Sequence, residues 1–166
     1  VVTVPTDLGQ VRDVVAQVAD PEIPVLSIAD LGILRDVRVG ADGRVQVTIT
    51  PTYSGCPAMD AIRDDIVEAC ARQGWDQVEV RTVLTPAWTT DWMTSEGKRK
   101  LLEFGIAPPA PRSQRGSGPV PLTLTACCPR CGSPDTRLIN RFGSTACKAL
   151  HACNACLEPF DYFKPI

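Results

Sequence analysis

At 166 residues, the chain can form one domain or two small ones, and 44% apolar with 22% charged residues is the make-up of a globular protein. A net charge of −2 argues against a nucleic-acid-binding surface, and no apolar run approaches the roughly 18 residues of a membrane span. Eight cysteines without a basic-then-apolar leader point to a reducing cytoplasm, where thiols act as metal ligands or reactive groups rather than disulfides.

Along the chain, Val11, Val14, Val15 and Val18 recur at helical spacing, which predicts an amphipathic helix ending before Asp20-Pro21. Residues 33–39 and 45–50 flank Gly40-Ala41-Asp42-Gly43 as two β-rich runs, the pattern of a hairpin. Pro57 opens a second helix reaching to about Arg72, with Met59, Ile62, Ile66, Ala69 and Cys70 on its buried face. A strand over 78–84 and a short helix over 95–104, closed by Gly105, complete an α-β-β-α-β-α order. That order predicts an α+β fold, a small two-layer α/β sandwich in which a three-stranded sheet packs against helices. Residues 107–121, rich in Pro, Gly and Ser, read as a semi-extended linker. They divide a first domain, 1–106, from a second, 122–166, with strands expected over 122–125, 136–142 and 148–152.

The second domain carries Cys128-Pro129-Arg130-Cys131 and Cys153-Asn154-Ala155-Cys156, with 21 residues between them. Two such knuckles, brought together by a folded-back hairpin, supply four thiolates to one tetrahedral ion, so the domain reads as a zinc-ribbon β domain. Four thiolates accept Zn²⁺ or iron. A unit of this size cannot build an adequate core alone, and bound metal is expected to carry much of its stability. Cys127 adjoins the first knuckle at a poorer spacing. Cys147 is a thiol beyond the four, either packed or a second labile ligand, with Lys148 able to lower its pKa if the two approach. His151, the one histidine, is not needed as a ligand.

In the first domain, Cys56 sits in Thr50-Pro51-Thr52-Tyr53-Ser54-Gly55-Cys56-Pro57, between a strand and a helix. As the helix N-cap, its thiol faces unsatisfied N–H groups that stabilise a thiolate and lower its pKa, marking it as a functional thiol; the bland alternative is a buried structural cysteine. Cys70, on the apolar helix face, reads as core. Asp20, Glu22 and Asp30 place three carboxylates in one loop. Near Cys56 they could be ligands or proton acceptors, but capping of turns is the commoner role of Asp. Trp88 and Trp92 are either packing over the sheet or an interface anchor. No phosphate-binding glycine loop, no Cys–His pairing and no di-iron helix pair is present, so no enzyme site of these kinds is suggested.

Asp20-Pro-Glu-Ile-Pro-Val-Leu-Ser-Ile-Ala-Asp-Leu-Gly32, Thr50-Pro-Thr-Tyr-Ser-Gly-Cys-Pro57 and Gly105-Ile-Ala-Pro-Pro109 resemble the SufT-like family of iron–sulfur assembly factors. Phe142-Gly-Ser-Thr-Ala-Cys-Lys-Ala149 and Cys153-Asn-Ala-Cys-Leu-Glu-Pro-Phe-Asp-Tyr-Phe163 narrow the likeness to the PaaD/PaaJ family of phenylacetate catabolism, over nearly the whole chain. The resemblance implies an accessory or maturation factor of the multicomponent phenylacetyl-CoA epoxidase, not an enzyme by itself. It puts the family's functional cysteine on Cys56, its acidic motif on Asp20, Glu22 and Asp30, and the zinc ligands on Cys128, Cys131, Cys153 and Cys156. The implied cargo is a transient iron or iron–sulfur cluster. Since one cysteine cannot close a four-thiolate cluster, a homodimer, Cys147 or a partner supplies the rest. The implied partners are the epoxidase reductase or its di-iron oxygenase component. The rival expectation is a structural subunit that uses the ribbon with Trp88 and Trp92 as its interface.

Overall fold

The computed structural model describes residues 7–110 and 126–166; the strand expected over 122–125 and most of the expected linker lie outside them. The chain divides after Trp88 into two compact units.

In the first unit, Asp7 caps α1 (Leu8–Ala16), its carboxylate accepting the Gly9 N–H at 3.2 Å. The helix stops short of Val18, because the chain there turns into an isolated bridge between Ala19 and Ser27. β1 (Leu34–Val39) and β2 (Val45–Ile49) form the expected hairpin, and β3 (Val78–Thr82) lies parallel to β2 after the crossover helix α2 (Ala58–Ala71). The sheet order is β1-β2-β3. Val37, Val45, Val47 and Ile49 are buried, as are Val11 and Val15 of α1 and Ile62 and Ile66 of α2. Each such side chain contributes roughly 1.5–3 kcal/mol by leaving water. On β2 and β3, Gln46, Glu79 and Arg81 join in a polar row. The α2 helix begins just beyond the carboxyl end of β2, where ligand sites collect in parallel α/β arrangements.

The second unit begins with a 3₁₀ turn (Thr90–Trp92) and α3 (Ser95–Glu103), whose capping Thr94 hydroxyl accepts the Gly97 N–H at 2.9 Å. β4 (Ile106–Ala107), β5 (Thr136–Asn140), β6 (Lys148–Cys153) and β7 (Pro159–Phe163) make a four-stranded sheet ordered β4-β7-β6-β5. The fold is thus α+β with a three-stranded sheet and helices, followed by a four-stranded β unit. The expected boundary at residue 106 differs from the observed one after Trp88. β4 pairs with β7, and the Thr90 N–H donates to the Ile166 carbonyl at 3.3 Å, so residues 89–107 are held to the ribbon strands. Neither β4 nor β7 has a clear sequence signal: one is two residues long and the other opens on a proline.

Candidate metal and thiol sites

The ribbon knuckles repeat one local geometry. In the first, the Gly132 N–H donates to the Cys128 carbonyl at 2.9 Å, and Gly132 takes φ +74°. The residue in the same place after the second knuckle, Leu157, takes φ +65° without the freedom of glycine. Asn154 ties the knuckles together: its N–H donates to the Asp135 carbonyl at 2.9 Å, and its side-chain amide to the Asp135 carboxylate at 2.8 Å.

All four sulfurs then lie within 4.8 Å of one another. Cys128 Sγ is 3.7 Å from Cys156 Sγ, and Cys131 Sγ is 3.5 Å from Cys153 Sγ. A tetrahedral ion with metal–sulfur bonds of about 2.3 Å needs sulfur–sulfur edges of about 3.8 Å, so the set fits Zn²⁺. Among the described residues this is the one group of three or more His, Cys, Asp or Glu close enough to share an ion. The thiols differ from one another in acidity. The Cys156 N–H, against the effect of burial, holds Cys153 down to about 7. The Glu158 N–H favours a Cys156 thiolate, yet burial and the three neighbouring sulfurs push that thiol up to about 12. Beneath the knuckles, Ala107, Ala126, Phe160 and Tyr162 pack with Cys128 and Cys153 in one buried cluster, to which β4 and β7 both contribute.

His151 is not part of the sulfur set. Its ring lies 5.8 Å from Phe160 and 5.3 Å, edge-on, from Tyr162, its Nδ1 makes no hydrogen bond among the described residues, and burial pushes its pKa down. Cys127 is exposed. Cys147 is buried, with its sulfur 3.0 Å from the Thr145 hydroxyl. The neighbouring Lys148 directs its ammonium to Asp161, 3.5 Å away.

Cys56 stands on a type II turn. Its N–H donates to the Tyr53 carbonyl at 3.3 Å, and Gly55 takes the φ of +89° that the third turn position requires. Pro57, not Cys56, is the capping residue of α2, so the thiol sits one position earlier than expected. The expected fall in its pKa is reversed. Half-burial raises it most. The Ala58 N–H at the helix start lowers it, the Glu22 and Asp20 carboxylates raise it again, and a hydrogen bond from Tyr53 lowers it least; the balance is upward. The helix end thus favours the thiolate as its placement implied, but desolvation and two negative neighbours outweigh it. Tyr53 was missed in the sequence, where a Tyr-Ser-Gly-Cys turn with glycine third was the available signal.

Of the three carboxylates, Glu22 and Asp20 act on Cys56. Asp20 Oδ1 accepts the N–H groups of Glu22 and Ile23, each at 2.8 Å. Asp30 and Ser27 cap each other: the Ser27 N–H donates to the Asp30 carboxylate and the Asp30 N–H to the Ser27 hydroxyl, both at 3.0 Å. Cys70 is fully buried on α2, as expected. Trp88 is also buried, its indole N–H donating to the Leu31 carbonyl at 2.9 Å, which removes it as an exposed interface anchor. Trp92, in the 3₁₀ turn, is half-buried.

The geometry thus comprises an α/β unit with a turn-borne cysteine acted on by two carboxylates, and a β unit whose four clustered sulfurs could hold one metal ion. Residues 8–82 match the family described as iron-sulfur cluster assembly protein, and residues 113–164 match the PaaD zinc beta ribbon domain. A relative from Escherichia coli K12, provisionally assigned to the 1,2-phenylacetyl-CoA epoxidase as its D component, is 48% identical over 98% of this chain and 95% of its own length. An Fe-S protein maturation auxiliary factor from Porphyromonas gingivalis is 42% identical over 54% of this chain and 82% of its own. The crystal structure of a domain of unknown function from Bacillus anthracis covers 57% of this chain and 90% of its own, with TM-score 0.53 and 26% identity. The chain belongs to the PaaD family of phenylacetyl-CoA epoxidase components, a SufT-like assembly domain joined to the PaaD zinc ribbon.

Proposed function

We propose that this chain is a maturation factor of phenylacetyl-CoA epoxidase, not itself catalytic, which passes iron or an iron–sulfur cluster to the reductase or, as the less favoured client, the di-iron component. The observation that carries the reading is the Cys56 thiol, half-exposed on a turn at the start of α2, with Tyr53 and the Ala58 N–H donating to it and the carboxylates of Asp20 and Glu22 acting on it. A single half-exposed thiol supplies only one ligand, which suits a carrier that must release its cargo. Cys56 supplies one ligand, and the others come from the client or a second copy, because a cluster takes about four. Asp20 holds its loop through its accepted N–H bonds. Asp30 serves by shaping that loop through Ser27. Cys147, buried beside Thr145, joins a transfer only if its loop opens.

Cys128, Cys131, Cys153 and Cys156 would hold Zn²⁺, which neutralises four crowded sulfurs and joins the two knuckles. Among the described residues no helix is long and apolar enough to cross a membrane. The proposed place of action is the cytoplasm, where the thiols this chemistry needs stay reduced. Relatives named as maturation factors match only about half of this chain, whereas the one named as an epoxidase component matches nearly all of it, ribbon included. The assembly unit therefore carries the transfer chemistry, and the ribbon carries attachment to the epoxidase.

The epoxidase components are produced with this chain, without it, and with Cys56→Ser, then assayed for iron, acid-labile sulfide and activity. Components that are metal-poor without the chain, restored by wild type and not by Cys56→Ser, are the expected result. Fully metallated, active components made without it would overturn the reading and favour a structural subunit.

A further inference from the structure

Among the described residues β5 is the outer strand of its sheet, with no strand paired along its other edge. Its pairing with β6 skips Ile139, so a bulge separates Leu138 from Asn140 and breaks the alternation of side chains. Leu138 and Ile139, consecutive in sequence, are therefore both open to solvent at 49% and 47%, and Phe142 follows at 66%. Arg137 and Arg141 are exposed among them. Elsewhere Arg38, Arg44, Arg63, Arg72, Arg81 and Arg99 each face a carboxylate of their own chain, but Arg137 and Arg141, like Arg12 and Arg130, form no ion pair among the described residues. Lys164 adds a third charge, its ammonium 4.9 Å above the Phe142 ring and donating to the Arg141 carbonyl at 3.2 Å.

Residues 136–146 contain no acidic residue at all, in a chain whose net charge is −2. Of the carboxylates on this sheet, Asp135 is engaged by Asn154, and Asp161 by Lys148 and Ser144. A bulge and arginines on an edge keep strands of other chains from pairing with it. That accounts for the charge, but not for three large apolar side chains standing between the charges.

We propose that Arg137, Leu138, Ile139, Arg141 and Phe142 form the surface by which this chain docks onto another component of the epoxidase. The occupant is an acidic segment whose own apolar side chains cover Leu138, Ile139 and Phe142. Because the bulge interrupts the ladder, docking runs through side chains rather than by strand addition. The inference rests on the attachment of the ribbon to the epoxidase proposed above.

The test uses the full chain and, as probe, the remaining epoxidase components of the same organism, purified together without it. Dissociation constants are measured at low and raised salt for wild type, Arg137→Glu/Arg141→Glu, Leu138→Ser/Ile139→Ser and a charge control on the first unit, Arg12→Glu/Arg72→Glu. Each edge variant is expected to bind about tenfold more weakly or worse, with the control unchanged. Wild-type binding should weaken with salt, and the edge-arginine variant should lose that dependence. Edge variants that bind within about twofold of wild type, or that change only self-association, overturn the surface and leave the proposed attachment to the epoxidase standing. Failure of wild type to bind the other components at all overturns both the surface and the attachment to the epoxidase proposed above.

Discussion

Cys56 illustrates how closely opposed the influences on a single side chain can be. The Ala58 N–H and Tyr53 favour its thiolate, while burial and the charges of Glu22 and Asp20 disfavour it, and the second set prevails. A raised pKa means less thiolate at neutral pH, so alkylation of Cys56 should accelerate through a midpoint above the ordinary value of about 8.5. Asp20→Asn and Glu22→Gln should each move that midpoint to lower pH, since a negative neighbour is removed. Asparagine at 20 keeps an oxygen for the Glu22 and Ile23 N–H groups, which separates charge from loop geometry. Iodoacetamide rates against pH, on zinc-loaded chain with the exposed Cys127 replaced by serine, give the readout. A midpoint below about 8.5, or one that neither variant moves, contradicts this account of the site. The candidate thiol itself was legible from its place between strand and helix. Its ionisation was not, because the carboxylates that shift it lie more than 30 positions away in sequence.

At the scale of the element, the β5–β6 connection is held by Lys148 and Asp161. Asp161 also accepts from the Ser144 hydroxyl at 3.2 Å, and the Gly143 N–H donates to the Lys148 carbonyl at 2.8 Å. A Cβ on Gly143 would stand 2.8 Å from Asp161 Oδ1 and 3.2 Å from Lys148 Cβ. Gly143→Ala is therefore expected to destabilise the ribbon by about 1–3 kcal/mol through overpacking against the ion pair. Denaturation of zinc-loaded wild type and variant, followed by ribbon signals, checks this; an unchanged midpoint would mean the loop yields without cost. The glycine's role was invisible in sequence, because its close neighbours come from two other strands. By contrast, the helices, the first hairpin and β6 could be read directly, since each carries its own period or turn residues. β7 could not be told from a loop until its partners β4 and β6 were seen on either side.

For the molecule as a whole, the two units draw on different sources of stability. The first has a core of aliphatic side chains from a sheet and two helices. The second gathers four sulfurs over a small apolar cluster, and structural zinc in such ribbons contributes on the order of 10 kcal/mol or more at neutral pH. Removing the metal from the full chain with a strong chelator should therefore lower the unfolding temperature of the ribbon sharply and leave that of the assembly unit nearly unchanged. Calorimetry with and without chelator distinguishes this from a single shared transition, which would show that the two units unfold together.

The sequence alone was enough for the two-part plan of the protein, the grouping of four cysteines at their Cys-x-x-Cys spacing, the cysteine at the strand–helix junction, and the acidic loop. These depend on local spacing and turn chemistry, which a few consecutive residues specify. Only the tertiary structure decided that Asp20 and Glu22 act on Cys56 while Asp30 and Ser27 cap each other, and that Trp88 is buried under the Leu31 carbonyl. It also decided that residues 89–107 belong with the ribbon and that, among the described residues, β5 is an outer strand with exposed basic and apolar side chains. Each of these follows from contacts that local spacing does not set, where burial, charge and strand neighbours come from packing rather than from the order of the amino acids.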